Sequence, residues 1–305
     1  MKISIVGAGN VGATVAQLAV ERELGDVVLI DVVEGLPQGK SLDLLEAGPV
    51  LGYRGSIIGA NDLAELAGSD VVVVTAGLAR KPGMSRDDLL LKNAEIIRGI
   101  GEGIRRHAAE AIVLMVTNPL DVMCMVMQKA TGKRPKEVVG MAGVLDAARF
   151  AAFIALELEV SPDDIRAMVL GGHGDSMVPI PRYTTVGGLP ITELLPGEVI
   201  ERIIERTRGG GAEIVELLKQ GSAFYAPGAS AFKMLECIVR NKKRLLPASV
   251  WATGEYGIRD VYVGLPAVIG PMGVERIVEV SLTEEEAQAL RRSAQHVREL
   301  SEKVK

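Results

Sequence analysis

The sequence predicts an α/β protein: a doubly wound parallel sheet followed by an α+β unit with antiparallel strands. Three observations predict it. Short apolar runs rich in Val and Ile alternate with helical patterns through the first half of the chain. A glycine-rich turn follows the first of those runs directly. Near residue 140 the rhythm changes to strand-like stretches broken by Gly and Pro.

The runs at 3–6, 27–30, 71–74 and 112–116 are continuously apolar, as expected for strands buried on both faces of a parallel sheet. Helical patterns at roughly 11–23, 36–47 and 86–109 separate them, giving the strand–helix–strand alternation of a doubly wound domain. In the second half, 144–159 reads as a helix stopped near Ser161-Pro162. Residues 165–180 and 262–280 read as strands in antiparallel pairs, with helices over roughly 197–219 and 228–241. Thr283-Glu284-Glu285-Glu286 is a capping box, and Leu290, Ala294, Val297, Leu300 and Val304 follow at helical spacing. This is an amphipathic closing helix. The expected division is 1–142 for the first domain and 143–305 for the second.

Composition narrows the function. Aromatics are 3% of the 305 residues, so the core must be built from Val, Ile, Leu, Ala and Met. A net charge of −5 gives no general attraction for nucleic acid, and any anion site must be made locally by placed arginines. Cys124 and Cys237 make neither a disulfide framework nor a zinc site, so buried thiols and no metal are expected. The N-terminus enters a strand with no basic region, apolar run and cleavage site, and no apolar run suits a bilayer. A cytoplasmic protein without membrane partners is the expectation.

Gly7-Ala8-Gly9-Asn10-Val11-Gly12 closes the first strand and opens a helix. That context turns a weak G-x-G-x-x-G into a dinucleotide fingerprint, and the first domain into a Rossmann-type sheet. Gly7 allows the tight turn, Gly9 leaves room for a pyrophosphate and Gly12 permits close helix–strand packing. Asp31 ends the second strand, 19 positions after Gly12, where a carboxylate accepts from the adenosine ribose and repels a 2′-phosphate. The expected cofactor is therefore NAD. Thr75-Ala76-Gly77 ends a central strand with small residues that let the cofactor lie close.

Several segments exceed what a plain dinucleotide fold needs. His173 stands in Gly171-Gly172-His173-Gly174-Asp175, an imidazole left unshielded by glycines and suited to proton exchange near neutral pH. His107 and His296 fall in charged helical segments and read as solvated surface. Asp146 and Arg149, three apart on a helix, read either as a local ion pair or as an orienting carboxylate and a carboxylate clamp. Arg80, Lys81 and Arg86 cluster in a loop that reads as a solvated basic segment or as a lid excluding water. Asn118-Pro119 ends a strand at the same edge and either orients a substrate hydroxyl or starts a turn.

These segments together resemble the lactate/malate dehydrogenase family over essentially the whole chain. The matches run from the glycine fingerprint and Asp31 through 77–91, Thr117-Asn118-Pro119-Leu120-Asp121 and Val144-Leu145-Asp146-Ala147-Ala148-Arg149-Phe150 to Gly172-His173-Gly174-Asp175. Within the family, the chain is similar to the malate enzymes built on the lactate dehydrogenase plan. The resemblance implies reversible oxidation of (S)-malate to oxaloacetate and a place in the tricarboxylic acid cycle. His173 would be the general acid/base, oriented by Asp146. Arg149 would bind the C1 carboxylate, Arg86 would polarise the reacting carbonyl and Asn118 would bond its oxygen, with a cis bond before Pro119. Arg80 stands where lactate enzymes carry Gln, and would take the far carboxylate of a dicarboxylate. Asn10, Val11, Asn93, Val116 and Asn118 join Gly7, Gly9, Gly12, Asp31, Thr75, Ala76 and Gly77 in the implied cofactor set. A homodimer or a tetramer is implied. The competing expectations are a lactate dehydrogenase or broad 2-oxoacid reductase, an NAD- and metal-dependent glycosidase, and a silent NAD-binding subunit.

Overall fold

The computed structural model describes residues 1–78 and 85–304, and of Arg86 the backbone alone. Its first part runs β1 (Lys2–Val6), α1 (Asn10–Glu21), β2 (Asp26–Ile30), α2 (Leu36–Leu51), β3 (Ile57–Ala60), β4 (Val71–Val74), α3 (Arg86–His107), β5 (Ile112–Met115), α4 (Leu120–Thr131) and β6 (Val138–Gly140). These six strands are parallel and lie in the order β3-β2-β1-β4-β5-β6. That order reverses between β1 and β4, which opens a crevice at the carboxyl ends where ligands of such sheets bind. β4 shows why the strands form: four consecutive valines are all buried, and β-branched side chains fit a pleated surface covered on both sides. α3 starts on a capping box in which Ser85 accepts from the Asp88 N–H and Asp88 accepts from the Ser85 N–H. Arg105, Arg106 and His107 complement the dipole at its other end.

The second part runs α5 (Gly143–Leu158), β7 (Ile165–Arg166), β8 (Val169–Leu170), β9 (Val178–Pro179), β10 (Thr185–Val186), β11 (Leu189–Pro190), α6 (Ile191–Leu194), α7 (Gly197–Leu218), α8 (Tyr225–Val239), β12 (Arg244–Thr253), β13 (Arg259–Gly270), β14 (Gly273–Ile277) and α9 (Glu284–Glu302). Its long antiparallel strands do not form a sheet of their own. β12 pairs antiparallel with β6 at Ser249 and Gly140, so β12, β13 and β14 extend the parallel sheet to nine strands. Sequence periodicity did not single out β12. The stretch read as strand over 165–180 is three two-residue strands interrupted by the turn that carries His173. A second, smaller core packs Phe150 and Ile154 of α5 against Ile200, Ile203 and Ile204 of α7. α9 begins with the expected box, Thr283 and Glu286 each accepting the other's backbone N–H.

Two close approaches fix the halves around the crevice. A Cβ on Gly228 of α8 would lie 2.5 Å from Thr14 Cγ2 of α1, so glycine lets the helices cross in contact. A Cβ on Gly264 of β13 would lie 2.3 Å from the Gly171 carbonyl oxygen. There the two glycines exchange backbone hydrogen bonds of 2.9 and 3.1 Å, which seats the His173 turn on the main sheet.

Candidate active site

The glycine turn has the expected geometry. Gly7 adopts φ +109° against Ala76 and Thr75 of the neighbouring loop. A Cβ on Gly12 would lie 1.8 Å from the Gly7 carbonyl oxygen, whereas one on Gly9 would meet nothing within 4 Å. The open side therefore faces out at Gly9 and the closed side inward at Gly12. The first turn of α1, opened by Asn10, Val11 and Gly12, carries no acidic residue. Its N–H groups have no partners within the helix and favour an anion. Asp31 at the end of β2 accepts from the Ala8 N–H at 2.7 Å and the Val33 N–H at 3.0 Å. It thus pins the glycine turn while keeping lone pairs for a diol. This open cradle, cationic at its helix end and anionic at Asp31, fits a dinucleotide with an unmodified ribose.

The remaining cofactor candidates line the same edge. Thr75 donates to the Gly7 carbonyl at 3.0 Å, and Thr117 donates to the Ala76 carbonyl at 2.7 Å. A Cβ on Gly77 would strike Thr117 Cγ2 at 2.5 Å. Val116, half-buried, bonds through its N–H to the Val74 carbonyl at 2.9 Å. Asn93 is buried, and its amide is committed to backbone: it accepts from the Leu78 N–H at 2.8 Å and donates to the Asn118 carbonyl at 2.8 Å. Asn93 therefore clamps two edge loops together. Asn118 has an exposed side chain beside the cis bond to Pro119.

His173 lies on the turn between β8 and β9. Its Nδ1 is 3.0 Å from Asp146 Oδ2, in the first turn of α5, and Asp146 Oδ1 is 3.6 Å from Arg149 NH1. The three side chains are largely buried, with 16%, 2% and 14% of their surfaces exposed. Among the described residues, Asp146 Oδ1 and Arg149 Nε have no hydrogen-bond partner. Nε is sealed from solvent, so an incoming carboxylate would meet the outer nitrogens of this planar, partly exposed guanidinium. α7 makes room for it: Cβ atoms on Gly210 and Gly211 would approach the Arg149 side chain to 3.3 and 3.7 Å. Burial opposes the His173 imidazolium, yet the charge and hydrogen bond of Asp146, with Asp121 behind it, outweigh burial and Arg149 and hold its pKa above the ordinary value. A cleft of about 460 Å³ opens at the His173 turn, lined among others by Pro119, Asp121, His173, Asp175 and His296.

The structure thus brings His173, Asp146 and Arg149 into one cluster and puts the Asn118 turn beside it. Arg80 and Lys81 lie outside the described residues, as does the Arg86 side chain; the Arg86 backbone is the first residue of α3. Sequence reasoning missed Asp121 as a site residue, although it quoted the motif that ends on it. It also missed the polar partners Ser249 and Ser293. Ser249 carries a signal, a hydroxyl between two buried apolar residues of a strand.

A dinucleotide cradle beside a buried His–Asp–Arg cluster defines an NAD-dependent oxidoreductase. Family models described as the lactate/malate dehydrogenase NAD binding domain and alpha/beta C-terminal domain match residues 1–140 and 143–305. The chain belongs to the lactate/malate dehydrogenase family. It is 59% identical over 304 residues to a malate dehydrogenase of Thermomicrobium roseum, covering 100% of this chain and 98% of that one. The apo malate dehydrogenase of Picrophilus torridus superposes with a TM-score of 0.97 at 48% identity, covering 99% of this chain and 97% of that one. A lactate dehydrogenase of Cryptosporidium parvum, complexed with lactic acid and NAD, superposes at 0.96 with 40% identity, covering 99% and 97%. Backbone shape is therefore common to enzymes of both substrates.

Proposed function

We propose that the chain interconverts (S)-malate and oxaloacetate, with NAD held by Gly7, Gly9, Asn10, Val11, Gly12, Asp31, Thr75, Ala76, Gly77, Asn93, Val116 and Asn118. The buried cluster of His173, Asp146 and Arg149 carries the reading. NAD held there would supply reversible hydride transfer at C2 of the hydroxyacid. Asp146 accepts a hydrogen bond from Nδ1–H of His173, which leaves Nε2 to exchange the hydroxyl proton. The charge of Asp146 also stabilises the imidazolium that results. Arg149 holds the C1 carboxylate through its guanidinium fork, and Arg80 takes the C4 carboxylate. Arg86 and Asn118 stabilise charge on the reacting oxygen. Residues 1–142 would bind the cofactor and 143–305 would supply His173, Asp146 and Arg149. A cytoplasmic homodimer or homotetramer is the accompanying proposal; Cys124 and Cys237 are free and buried, as a reducing compartment allows.

The test is NADH oxidation by the purified protein with oxaloacetate and, separately, pyruvate at equal concentration. Strong preference for oxaloacetate supports the reading. Preference for pyruvate assigns a lactate-type substrate to the same machinery, and turnover of neither refutes the reading.

A further inference from the structure

The mechanism gives no task to Asp121, yet this carboxylate is 5% exposed. It occupies the first turn of α4, on the segment that starts from the Asn118 turn. Both oxygens are engaged. Oδ2 accepts the backbone N–H of His173 at 3.0 Å, and Oδ1 accepts the Ser249 hydroxyl at 2.6 Å. Ser249 is fully buried on β12, opposite Gly140 of β6. A Cβ on Gly172 would come within 3.3 Å of Oδ2, so the turn packs directly on the carboxylate. Burying a carboxylate is costly, and an apolar side chain would fill the same space without that cost. A costly group on the backbone of an acid/base histidine calls for a function.

We propose that Asp121 is a second positioning carboxylate for His173, holding the backbone of its turn while Asp146 holds its ring. The inference rests on the reading of His173 as the acid/base. Asp121 joins three elements at one point: α4, which follows Asn118; β12, through Ser249; and the His173 turn. One side chain thereby ties the Asn118 segment to the turn that the Gly171–Gly264 hydrogen bonds seat on the sheet. The far side of the turn is held separately, because the Gly172 N–H donates to Ser293 Oγ of α9 at 2.8 Å. Ser293 in turn bonds Ser176 at 3.0 Å.

Asp121 also places negative charge beside the ring. Among the described residues, the charged groups that act on His173 are Asp146 and Arg149 from α5 and Asp121 from α4, while Asp175 and His296 line the same cleft. Burial, with the charge of Asp146 adding to it, holds the Asp121 carboxyl above its ordinary value, while its donors Ser249 and His173 and the imidazole charge pull against that. With both oxygens accepting, the ionised form fits the hydrogen bonds, and its charge favours the imidazolium alongside Asp146.

The test is Asp121→Asn, which keeps size and an acceptor for the His173 N–H but removes charge. The chain has 3 histidines, so proton–carbon NMR resolves each imidazole, and His173→Asn identifies the resonance of interest. The His173 titration should fall by about half a pH unit or more. Imidazolium is required for reduction, so the alkaline limb of the NADH-dependent rate should move to lower pH with it. kcat should fall about tenfold, a value typical of one misaligned proton-transfer partner, with substrate KM changing far less. Ser249→Ala should shift the limb the same way by less, and non-additively with Asp121→Asn. If Asp121→Asn does not fold, the Ser249→Ala shift alone decides. Unmoved titrations and limbs overturn the inference. His173→Asn with wild-type turnover would instead overturn the acid/base reading beneath it.

Discussion

His173 Nδ1 and Asp146 Oδ2 lie 3.0 Å apart, with the carboxylate 2% exposed. The hydrogen bond fixes the ring, and the charge raises the pKa of His173 against the burial that lowers it. Reduction of a 2-oxoacid needs the imidazolium, and oxidation of the hydroxyacid needs the neutral ring. A raised pKa keeps reduction active to higher pH, and that activity is lost as pH rises through it.

Asp146→Asn removes the charge and keeps the shape. The alkaline limb of NADH-dependent reduction should move to lower pH, toward or below the ordinary imidazole value of about 6.5. kcat at neutral pH should fall by about tenfold or more. Steady-state rates across roughly pH 5–9, a range that brackets that value, check the direction. A limb that moves up would show that Asp146 does not set the His173 charge.

Arg149 keeps a partly exposed guanidinium beside Asp146. Arg149→Lys keeps the positive charge for Asp146 but loses the planar fork that binds a carboxylate twice. Substrate kcat/KM should drop about thirtyfold or more, a loss on the order of 2 kcal/mol. NADH affinity, measured by fluorescence titration, should stay unchanged.

Gly9 and Gly12 should respond oppositely to one added methyl group. The Cβ of Gly9→Ala enters open space, so the melting temperature should hold while NADH binding weakens. The Cβ of Gly12→Ala would sit 1.8 Å from the Gly7 carbonyl oxygen. Overpacking of this kind costs about 1–3 kcal/mol, and the melting temperature should fall by several degrees. Thermal melts of both variants without cofactor separate the two effects.

Arg80→Gln should reduce oxaloacetate turnover relative to pyruvate by tens- to thousands-fold. Leaving a desolvated carboxylate unpaired costs roughly 2–5 kcal/mol. An unchanged ratio removes Arg80 from the specificity role.

Much of this was legible in the sequence because the signals are local. Val71–Val74 declares a doubly buried strand, the glycine spacing declares its turn, and Thr283 with Glu286 declares a helix start. Asp146 and Arg149 share a helix face by spacing alone, and the site uses that face. Long-range pairing was not legible. β12 joins the parallel sheet through one buried pair, Ser249 with Gly140, and no local period records which strand lies opposite. The same reason hid Asp121. Its partners are His173 and Ser249, 52 and 128 positions away. Asn93 enters the cofactor set only through the family resemblance, and no local signal shows that its amide also ties the backbones of Leu78 and Asn118 together.

The most direct measurement of the central claim is single-turnover oxidation of bound NADH by oxaloacetate in wild type and His173→Asn. The account predicts that the variant binds NADH normally and reacts about 10²–10⁴-fold more slowly, the usual contribution of a placed general acid. A variant rate within tenfold of wild type would contradict it.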